Sequence, residues 1–485
     1  MLPWGAVRMT SAINPSAGLL VASLWLTAPL AFAATDAPTL PPHFAGSALD
    51  EAPTALTADW WTAYASDELS TLLAAGARDN LDIQAAIARL QAASARARAA
   101  HASVLPTVDA GLGATHYAGH SNAGTAQETD AGVLLSASYE LDFFGKNRAI
   151  ADSAGAQAAV SRAERDTVVL ATQAALAAGY FTVVSLRERL HWAEVDLTTA
   201  QRILTLVEAR HAAQAVGDAE LANERNRVAA ATLTVVDLTA QEAVARESLA
   251  VLAGRDPEGF GVTATDLGGL QLPSVVPDLP ATLLQRRPDI QAAERAPAAG
   301  HADVAVARAA LFPSIALTAA GGVQNPAVQA AVTTLTGTGA SLTLGAQLLQ
   351  SVFDGGRRRA LRAEAEARES ELLVQYRAVI RNALLDVETA LSARQALRTA
   401  AAAQHDTLEQ SQRALAVAQA RYQAGIGDAL NVLEAERAVN AARSQQTAYR
   451  LDGLLNTVSL AKALGGGWQA AVPHPSAELT SGTRP

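Results

Sequence analysis

Residues 81–110 read LDIQAAIARLQAASARARAAHASVLPTVDA, and residues 288–318 read PDIQAAERAPAAGHADVAVARAALFPSIALT, so DIQAA recurs 207 residues further on. The correspondence extends beyond this block. Gly217-Asp218-Ala219 matches Gly427-Asp428-Ala429, and LDFFG at 141–145 matches VFDGG at 352–356. A unit of about 210 residues therefore occurs twice, whereas solenoids stack three or more short repeats. The duplication predicts two pseudo-equivalent halves of one body.

The composition excludes several classes of protein. The formal net charge of −10 disfavours a nucleic-acid partner, because phosphate binding requires a basic face. The chain has no cysteine, which excludes disulfides, zinc thiolates and a thiol nucleophile. The pair His116 and His120 lacks the glutamates of a zinc-binding helix motif, and no glycine cluster matches a phosphate loop. We therefore predict no catalytic site, no cofactor and no metal site.

An apolar N-terminal stretch indicates export. After Arg8, a charge-free segment centred on residues 19–30 leads to Ala31-Phe32-Ala33 and Ala34. This pattern predicts a signal peptide over 1–33, cleaved between Ala33 and Ala34. The alternative is an uncleaved membrane anchor, which the short apolar core disfavours. Either interpretation places the protein outside the cytoplasm.

Proline placement separates two long arms. No proline lies between Pro106 and Pro257, and none lies between Pro326 and Pro473. Because proline is poorly tolerated inside helices, each arm can be helical over most of its length. The proline-rich segment 257–287 between the arms suits an extended connector.

Heptad spacing predicts that each arm is a helical hairpin. Apolar residues recur in steps of three and four on both sides of each Gly-Asp turn, which is typical of coiled coils. We expect helical hairpins over 146–253 and 356–464. A helix from about 146 to 213 would be on the order of 100 Å long, which no compact globular domain contains. A fibrous coiled coil would show the same pattern.

Two further segments alternate with a period of two and predict β-hairpins. Residues 133–143 place apolar side chains at odd positions and mostly polar side chains at even ones, and residues 341–348 alternate in the same way. With partner strands after Pro106 and Pro313, we expect β-hairpins at about 107–144 and 313–353. A soluble sandwich or a tilted transmembrane barrel would fit this alternation equally well.

The number of strands constrains the membrane interpretation. Four strands cannot close a barrel, and a sheet with free edges in lipid would leave unsatisfied backbone groups that cost several kcal/mol each. The sheet would therefore close with copies of itself. Two copies would give eight strands and three would give twelve, and both numbers occur in known barrels.

A series of motifs along the mature chain is similar to the TolC-like outer-membrane efflux proteins, in particular the OprM/NodT branch. The motifs are Trp60-Trp61, LDFFG at 141–145, LQRRPDI at 284–290, Ala293-Glu294, ARA at 307–309, LFP at 311–313, FDGG at 353–356, Arg421-Tyr422 and ALGGGW at 463–468. The resemblance spans nearly the whole chain after residue 33.

The resemblance implies a homotrimer with one shared twelve-stranded outer-membrane barrel and a periplasmic tunnel of helical hairpins. It implies two partners, a periplasmic adaptor and an inner-membrane pump of the resistance-nodulation-division type, and a passive duct without a cofactor. The implied order is a signal peptide over 1–33, a periplasmic segment over 34–60, a first repeat over 61–256, the connector over 257–287, a second repeat over 288–467 and a tail over 468–485. Efflux of small molecules is the favoured function, and protein secretion or a secreted coiled-coil structural or adhesive role are the alternatives.

The resemblance also implies site residues. An acidic ring with a leucine one turn away narrows the periplasmic end of such ducts, and this pattern falls on Glu434 and Leu430. Glu434 could equally be a solvated helix position. The first repeat has Leu221 and Arg225 near the matching places. The expected adaptor-facing tips contain Gly217, Asp218, Arg421, Tyr422, Gly427 and Asp428, although glycine is common in any turn between helices.

The chain departs from the family pattern at two points. Many members carry a lipid-modified cysteine, and because this chain has none, we expect no acyl anchor. Pro297 lies inside the helix expected before residue 309, and an internal proline costs about 3 kcal/mol. We therefore expect a kink or break at Pro297.

Overall fold

A computed structural model describes residues 40–45, 57–121, 124–325 and 339–468. The predicted signal peptide, its cleavage site at Ala33 and Ala34, most of segment 34–60 and the tail after Trp468 lie outside the described residues. The elements in chain order are a 3-10 helix at Trp60–Tyr64, α1 (Asp67–Asp79), α2 (Leu81–Ala102), β1 (Thr107–Ser121), β2 (Gly124–Leu141), α3 (Lys146–Ala212), α4 (Asp218–Leu252), a 3-10 turn at Pro280–Thr282, α5 (Leu283–Arg286), α6 (Pro288–Ala309), β3 (Ser314–Asn325), β4 (Gly339–Leu349), α7 (Arg357–Gln423) and α8 (Ala429–Ala463).

The two repeats build the same pair of helices. The helices α3 and α7 contain 67 residues each, and α4 and α8 contain 35 each. Both long helices start after a left-handed glycine, Gly145 or Gly356. In both, a preceding aspartate, Asp142 or Asp354, accepts hydrogen bonds from first-turn N–H groups. The predicted fold class, long antiparallel helical hairpins with four strands, is confirmed.

The four long helices form one layer. The helix α3 packs along α4 on one side and α8 on the other, and α7 packs along α8. The order across the layer is therefore α4, α3, α8, α7, which is short, long, short, long. Toward the strands, α2 and α6 pack on α3, and α6 also packs on α7. The outer helices of this layer are α4 and α7.

The strands form one antiparallel sheet in the order β1, β2, β3, β4. The β2–β3 pair, with Leu135 opposite Gly321, joins the two repeats. Because directly paired residues share a face, one face is apolar and the other is mostly polar. The apolar face carries Val108, Ala110, Leu112, Val133, Leu135, Ala137, Tyr139, Leu141, Ile315, Leu317, Ala319, Leu342, Leu344, Ala346 and Leu348. Leu112 on this face is 85 % exposed.

The two largest clusters of the core lie where the connector crosses the helices. The first surrounds Tyr64, Tyr180 and Phe181 and takes in Val262 and Leu267 from the connector. The second surrounds Ile290, Val387 and Leu460 and takes in Phe44 and Val275. The connector is thus a strap that contributes apolar side chains to both halves.

A partly buried carboxylate fastens the connector to α1. Glu68 accepts hydrogen bonds from the N–H groups of Thr263 and Ala264 at 2.5 and 3.1 Å, and from the hydroxyls of Thr263 and Tyr180 at 2.8 and 3.1 Å. Burial alone would raise the pKa of Glu68, but these hydrogen bonds together hold it below its ordinary value.

For Pro297 the sequence predicted a kink or a break, and the break is not found. Pro297 does not break its helix, because α6 continues through it from Pro288 to Ala309. The helix packs against both α3 and α7, and this packing offsets the cost of about 3 kcal/mol for an internal proline. The sequence patterns also gave no indication of α1 or of the 3-10 helix before it.

Candidate functional site

The two helical hairpins end in turns of the same design. In the first turn Gln214 N–H donates to His211 and Ala215 N–H to Arg210; in the second, Gly425 N–H donates to Tyr422 and Ile426 N–H to Arg421. The residue that must adopt a left-handed backbone is Gly425 in the second turn, with φ of 73°, but Gln214 in the first, with φ of 62°. Equivalent positions of the two repeats thus carry a glycine, which adopts the left-handed backbone at little cost, and a glutamine, which does so less readily.

An ion pair joins the two turns. The Arg210 guanidinium at the end of α3 binds the carboxylate of Asp428, which also accepts the Leu430 N–H at 3.1 Å. The Arg210 side chain first, and then the Leu430 N–H, hold the pKa of Asp428 below its usual value. The expected tip residue Asp428 therefore fixes α8 to the first hairpin.

Glu434 lies between the hairpins and has a partner. Its Oε1 accepts a hydrogen bond of 2.5 Å from Arg227 on α4, and Arg227 also lies 3.3 Å from Glu224. Glu434 is partly exposed, with a side chain 42 % accessible. It is thus a half-exposed helix position that is held by a cation of the other repeat.

Two further ion pairs join α8 to α3. Arg437 binds Asp196 at 3.1 Å, and Arg202 binds Glu436 at 3.3 Å. Together with the Arg210 and Arg227 contacts, they place a row of ion pairs between the two hairpins at the end far from the sheet. These contacts are the main electrostatic connection between the repeats in that region.

Leu430 packs inside this junction. It lies against an apolar cluster of Ile203, Val207 and Leu433, which Val216 and Leu221 also contact. Leu430 and its expected counterpart Leu221 therefore meet in the same cluster. Arg225, in contrast, binds Glu208 of its own hairpin at 3.2 Å.

The other expected tip residues are exposed. The Asp218 side chain is 98 % accessible and lies 2.8 Å from the ring of His211. Tyr422 is 52 % exposed, Arg421 is exposed as well, and Gly427 is partly exposed. Gly217 precedes α4 without a side-chain cap. The structure thus places Asp428, Leu430 and Glu434 against the first hairpin, and it leaves the remaining tip residues exposed or partly exposed.

Sequence reasoning missed Glu224. At the offset of 210 residues that relates Asp218 to Asp428, Glu224 corresponds to Glu434 and Arg227 to Arg437. The motif E-x-x-R is therefore repeated, and this signal could have identified both residues. Glu224 is buried, and its Oε2 has no hydrogen-bond partner within the described part of the chain.

The described residues form no metal centre. Among them, no group of three His, Asp or Glu side chains could hold a metal ion. The arrangement consists instead of two linked helical hairpins on a sheet with one apolar face.

This combination fits an outer-membrane channel. The chain belongs to the outer membrane efflux protein family, whose model matches residues 75–255 and 279–466. The two matched segments correspond to the two repeats. The protein is therefore an outer-membrane efflux protein, and the resemblance, location and efflux function expected from its motifs are confirmed.

Individual relatives agree with this assignment. The pyoverdine export outer membrane protein OpmQ of Pseudomonas aeruginosa is 38 % identical over 420 residues, covering 85 % of this chain and 88 % of OpmQ. The cation efflux system protein CusC of Escherichia coli (strain K12) is 28 % identical over 413 residues, covering 84 % and 89 %. The solved structure of the outer-membrane channel OprN superposes with a TM-score of 0.77 at 26 % identity, covering 89 % of this chain and 98 % of OprN.

Proposed function

We propose that three copies of this chain close head to tail into one passive exit duct, a twelve-stranded barrel in the outer membrane continued by a helical tunnel in the periplasm. The observation that carries the proposal is that both layers of one copy have free edges in matching order. The sheet runs from β1 to β4 and the helix layer from α4 to α7, each with the first repeat on one side. A head-to-tail contact of this kind generates a ring if its rotation closes.

The edges of one copy expose apolar side chains and unpaired strand backbone that contact with a neighbouring copy would bury. The exposed face of α4 has an apolar stripe of Leu233, Val236, Val244 and Val251, which are 56–64 % exposed. Free strand edges are costly in lipid, so β1 of one copy is expected to pair with β4 of the next. Three copies follow the family resemblance and give a number of strands found in known barrels.

The same proposal assigns roles to the two repeats. Residues 61–256 and 288–467 would each supply a β-hairpin to the barrel and a helical hairpin to the tunnel, with 257–287 as the strap around them. A periplasmic adaptor would dock at the tips, and an inner-membrane pump of the resistance-nodulation-division type would supply the energy. The duct would carry out no chemical step and need no cofactor.

The cargo is proposed to be small molecules. OpmQ is named for pyoverdine export and CusC for cation efflux, so ducts of this design serve chemically unlike cargoes. This breadth supports a duct that conducts what its pump delivers, with selection at the pump. Drugs and small metabolites are the favoured classes.

Leu430 and Glu434 are proposed to form the periplasmic aperture. In a trimer, three copies of Glu434 near one axis would repel each other and favour cations. The Arg227 contact would hold each Glu434 in place at rest, and the Leu430 cluster would hold the two hairpins together. Opening would then require the hairpins to separate.

The aperture proposal is tested by single-channel conductance in planar bilayers. Leu430→Ala with Glu434→Ala should raise conductance, because it removes both the apolar contact and the charge. Glu220→Ala with Arg225→Ala is the matched control, since it changes two exposed positions near the start of α4. Unaltered conductance of the first variant would remove these residues from the gate.

The efflux function is tested by deletion of the gene in its own host, followed by growth against a panel of antimicrobial compounds. Raised sensitivity, restored by the intact gene, is the expected result. Unchanged sensitivity with loss of a secreted protein would support the protein-secretion alternative. Recovery as a soluble periplasmic monomer would support the coiled-coil structural or adhesive role.

A further inference from the structure

The second hairpin lacks an ion pair that the first hairpin has. The helix α3 begins at residue 146 and α7 at 357, and α4 begins at 218 and α8 at 429, so the hairpins correspond at an offset of 211 residues. Arg187 on α3 therefore corresponds to Arg398 on α7. Glu242 on α4 corresponds to Gly453 on α8. The second repeat keeps the cation and has no side chain at the place of the carboxylate.

In the first hairpin this carboxylate holds two helices and the connector together. Glu242 accepts a hydrogen bond of 2.8 Å from the Nε of Arg187 and lies 3.6 Å from the Nε of Arg246. Arg187 also donates to the Val262 carbonyl, and Arg246 donates to the Phe260 carbonyl at 3.1 Å. The carboxylate thus fixes two arginines that in turn hold the connector.

In the second hairpin the equivalent place is hollow. A cavity of about 500 Å³ is bounded by α7, α8 and connector residues 272–274, and both Arg398 and Gly453 line it. Its volume lies in the range of small-molecule sites. A Cβ on Gly453 would lie 3.6 Å from Leu272, which is an ordinary van der Waals distance. The space beside Gly453 is therefore open, and close packing does not require the glycine.

The cavity has an excess of positive charge. Its charged lining residues are three arginines and one glutamate, Arg394, Arg398, Arg450 and Glu188. The glutamate is already engaged, because it accepts hydrogen bonds of 2.9 Å from the Leu267 N–H and the Thr447 hydroxyl. Arg398 is exposed, and it forms no ion pair within the described part of the chain. The position that lacks a carboxylate thus lies in a site that favours an anion.

The other two arginines of the cavity hold the connector. Arg394 donates to the Val275 carbonyl at 2.6 Å, and Arg450 donates to the Leu270 carbonyl at 2.9 Å. This arrangement parallels the first hairpin, where Arg187 and Arg246 bind connector carbonyls. The two halves therefore fasten the connector by the same means, but only the first has the glutamate of α4 between its arginines.

The floor of the cavity is polar, unlike the equivalent positions of the first repeat. Gln404 and Asn456 are buried there, and each donates to a backbone carbonyl of the opposite helix, at 2.8 and 2.9 Å. Their counterparts in the first repeat are Ala193 and Ala245. Because buried amides are costly without hydrogen bonds, a purely structural gap between helices would be expected to be apolar. The polar floor suits a ligand with polar groups.

We propose that this cavity binds a small-molecule carboxylate. Its carboxylate group pairs with Arg398 at the place that Glu242 occupies in the first hairpin, because a guanidinium can bind a carboxylate through two parallel hydrogen bonds. An apolar body packs against Leu272 and Leu397, which line the same cavity. An acidic side chain of a partner protein would fill only a small part of the volume. The site lies within one copy, so this inference goes beyond the proposed duct and does not depend on the trimer.

The first test uses three probes, 3-phenylpropionate, 3-phenylpropanol and acetate, with the full chain in detergent. A ligand that binds the folded protein raises the thermal midpoint of unfolding. The acid should bind about tenfold more tightly than the alcohol, which lacks the charge, and more tightly than acetate, which lacks the apolar body. Equal effects of acid and alcohol, or no effect of the acid, would overturn the proposal.

The second test assigns the binding to Arg398. Arg398→Met keeps most of the side-chain length and removes the charge, so the acid should bind about tenfold more weakly. Arg413→Met is the matched control, because Arg413 also lies on α7 and pairs with Glu409 of the same helix. This control should bind the acid as wild type does. Equal binding by wild type and Arg398→Met would place the acid elsewhere and refute the assignment.

The third test restores the carboxylate within the chain and needs no ligand. Gly453→Glu gives the second hairpin the glutamate of the first, and it should abolish binding of 3-phenylpropionate. Without ligand, its thermal midpoint should exceed that of Gly453→Gln, which has the same length and no charge. In the Arg398→Met background the two midpoints should be equal, because the ion pair is then removed. A difference that persists in that background would contradict the proposed position of the carboxylate.

Discussion

The first hairpin and the second hairpin have helices of equal length but unequal surroundings. The helix α3 lies between α4 and α8, whereas its counterpart α7 has α8 on one side only. Accordingly, Ile203 and Val207 of α3 are completely buried, while their counterparts at the offset of 211 residues are Ala414, which is exposed, and Ala418, which is partly exposed. The same unit therefore builds an interior helix once and an edge helix once.

This difference shows what the duplication accomplishes. One repeat can make the contact between a long and a short helix only with another repeat, and one copy contains that contact once. The edges of a copy are therefore the two halves of a contact already present inside it. Where the repeats agree, they show the structure that each half needs. Where they differ, they show the position of each helix in the layer.

The largest difference in stability between equivalent substitutions of the two repeats is expected at the start of the helices α2 and α6. Asn80 and Arg287, 207 residues apart, both donate to the last turn of the neighbouring short helix, Asn80 to the Leu252 carbonyl at 2.8 Å and Arg287 to the Ala463 carbonyl at 3.1 Å. Arg287 also binds Asp289 at 2.7 Å and Asp386 at 3.0 Å. Burial would lower the pKa of Arg287, but these carboxylates raise it.

Arg287→Ala should therefore cost about 3 kcal/mol, because it removes charged hydrogen bonds to two partly exposed carboxylates and to the Ala463 carbonyl. Asn80→Ala should cost about 1–2 kcal/mol, because it removes one cap. Thermal unfolding of the two variants in detergent measures the difference. Equal losses would mean that the ion pairs of Arg287 add nothing to its role as a cap.

A second comparison concerns positions where the repeats should behave alike. Gly254 and Gly465, 211 residues apart, end α4 and α8 with φ of 71° and 89°. A Cβ on Gly254 would meet the Asp79 carbonyl, and a Cβ on Gly465 would meet the Arg286 carbonyl. Each substitution to alanine should cost about 3 kcal/mol from backbone strain and the clash. A large difference between the two thermal midpoints would show that the two repeats are not equivalent at the ends of α4 and α8.

A third comparison uses pH. The sequence offset of 207 residues aligns Glu68 with Val275, so only the first half fastens the connector with a carboxylate at this position. Because the folded pKa of Glu68 is lowered, its stabilisation is complete above the unfolded pKa of about 4.3 and is lost as the pH falls through the folded value. Glu68→Gln should cost about 1 kcal/mol at pH 7, a value reduced by solvent screening.

The measurement is the thermal midpoint of wild type and Glu68→Gln between pH 3 and pH 7. The two midpoints should converge toward the acid end. Val275→Thr, of similar size, is the control in the second half and should shift the midpoint equally at every pH. A constant gap for Glu68→Gln would show that the charge of Glu68 is not what fastens the connector.

The smallest effect is expected at the turns. In Gln214→Gly, a glycine replaces a residue whose side chain makes the left-handed backbone unfavourable. The exchange should stabilise the folded protein by about 0.5 kcal/mol, after the entropy of glycine in the unfolded chain is taken into account. Gly425→Gln makes the opposite exchange and should destabilise by a similar amount. Opposite shifts in protease resistance of the tips would verify this, and shifts of the same sign would contradict it.

Much of the fold could be predicted because its signals are local. The heptad and proline patterns indicated a helix from about 146 to 213, and α3 runs from Lys146 to Ala212. Alternation predicted the strands that form the sheet. The helix α1 was missed because it is short. A kink or break was expected at Pro297 because local propensity takes no account of the packing of α6 against α3 and α7.

The candidate site was predicted less completely. The motifs led to Leu430, Glu434 and the tip residues, but not to Arg210 and Arg227, which bind Asp428 and Glu434 from more than 200 residues away. Contacts at such separations depend on which helices become neighbours. The repeated E-x-x-R motif was visible in the sequence, but its meaning depends on the order of the helices.

The sequence by itself determined the duplicated unit, the two helical hairpins, the amphipathic strands and the family, because periodicity and motif spacing are properties of neighbouring residues. Only the tertiary structure decided that α3 and α8 are central and α4 and α7 are edges, since helix order follows from the packing of whole faces. That order placed Glu434 against Arg227 and left Arg421 and Asp218 uncovered. The physical reason is that burial and ion pairing are decided between segments that meet only after folding.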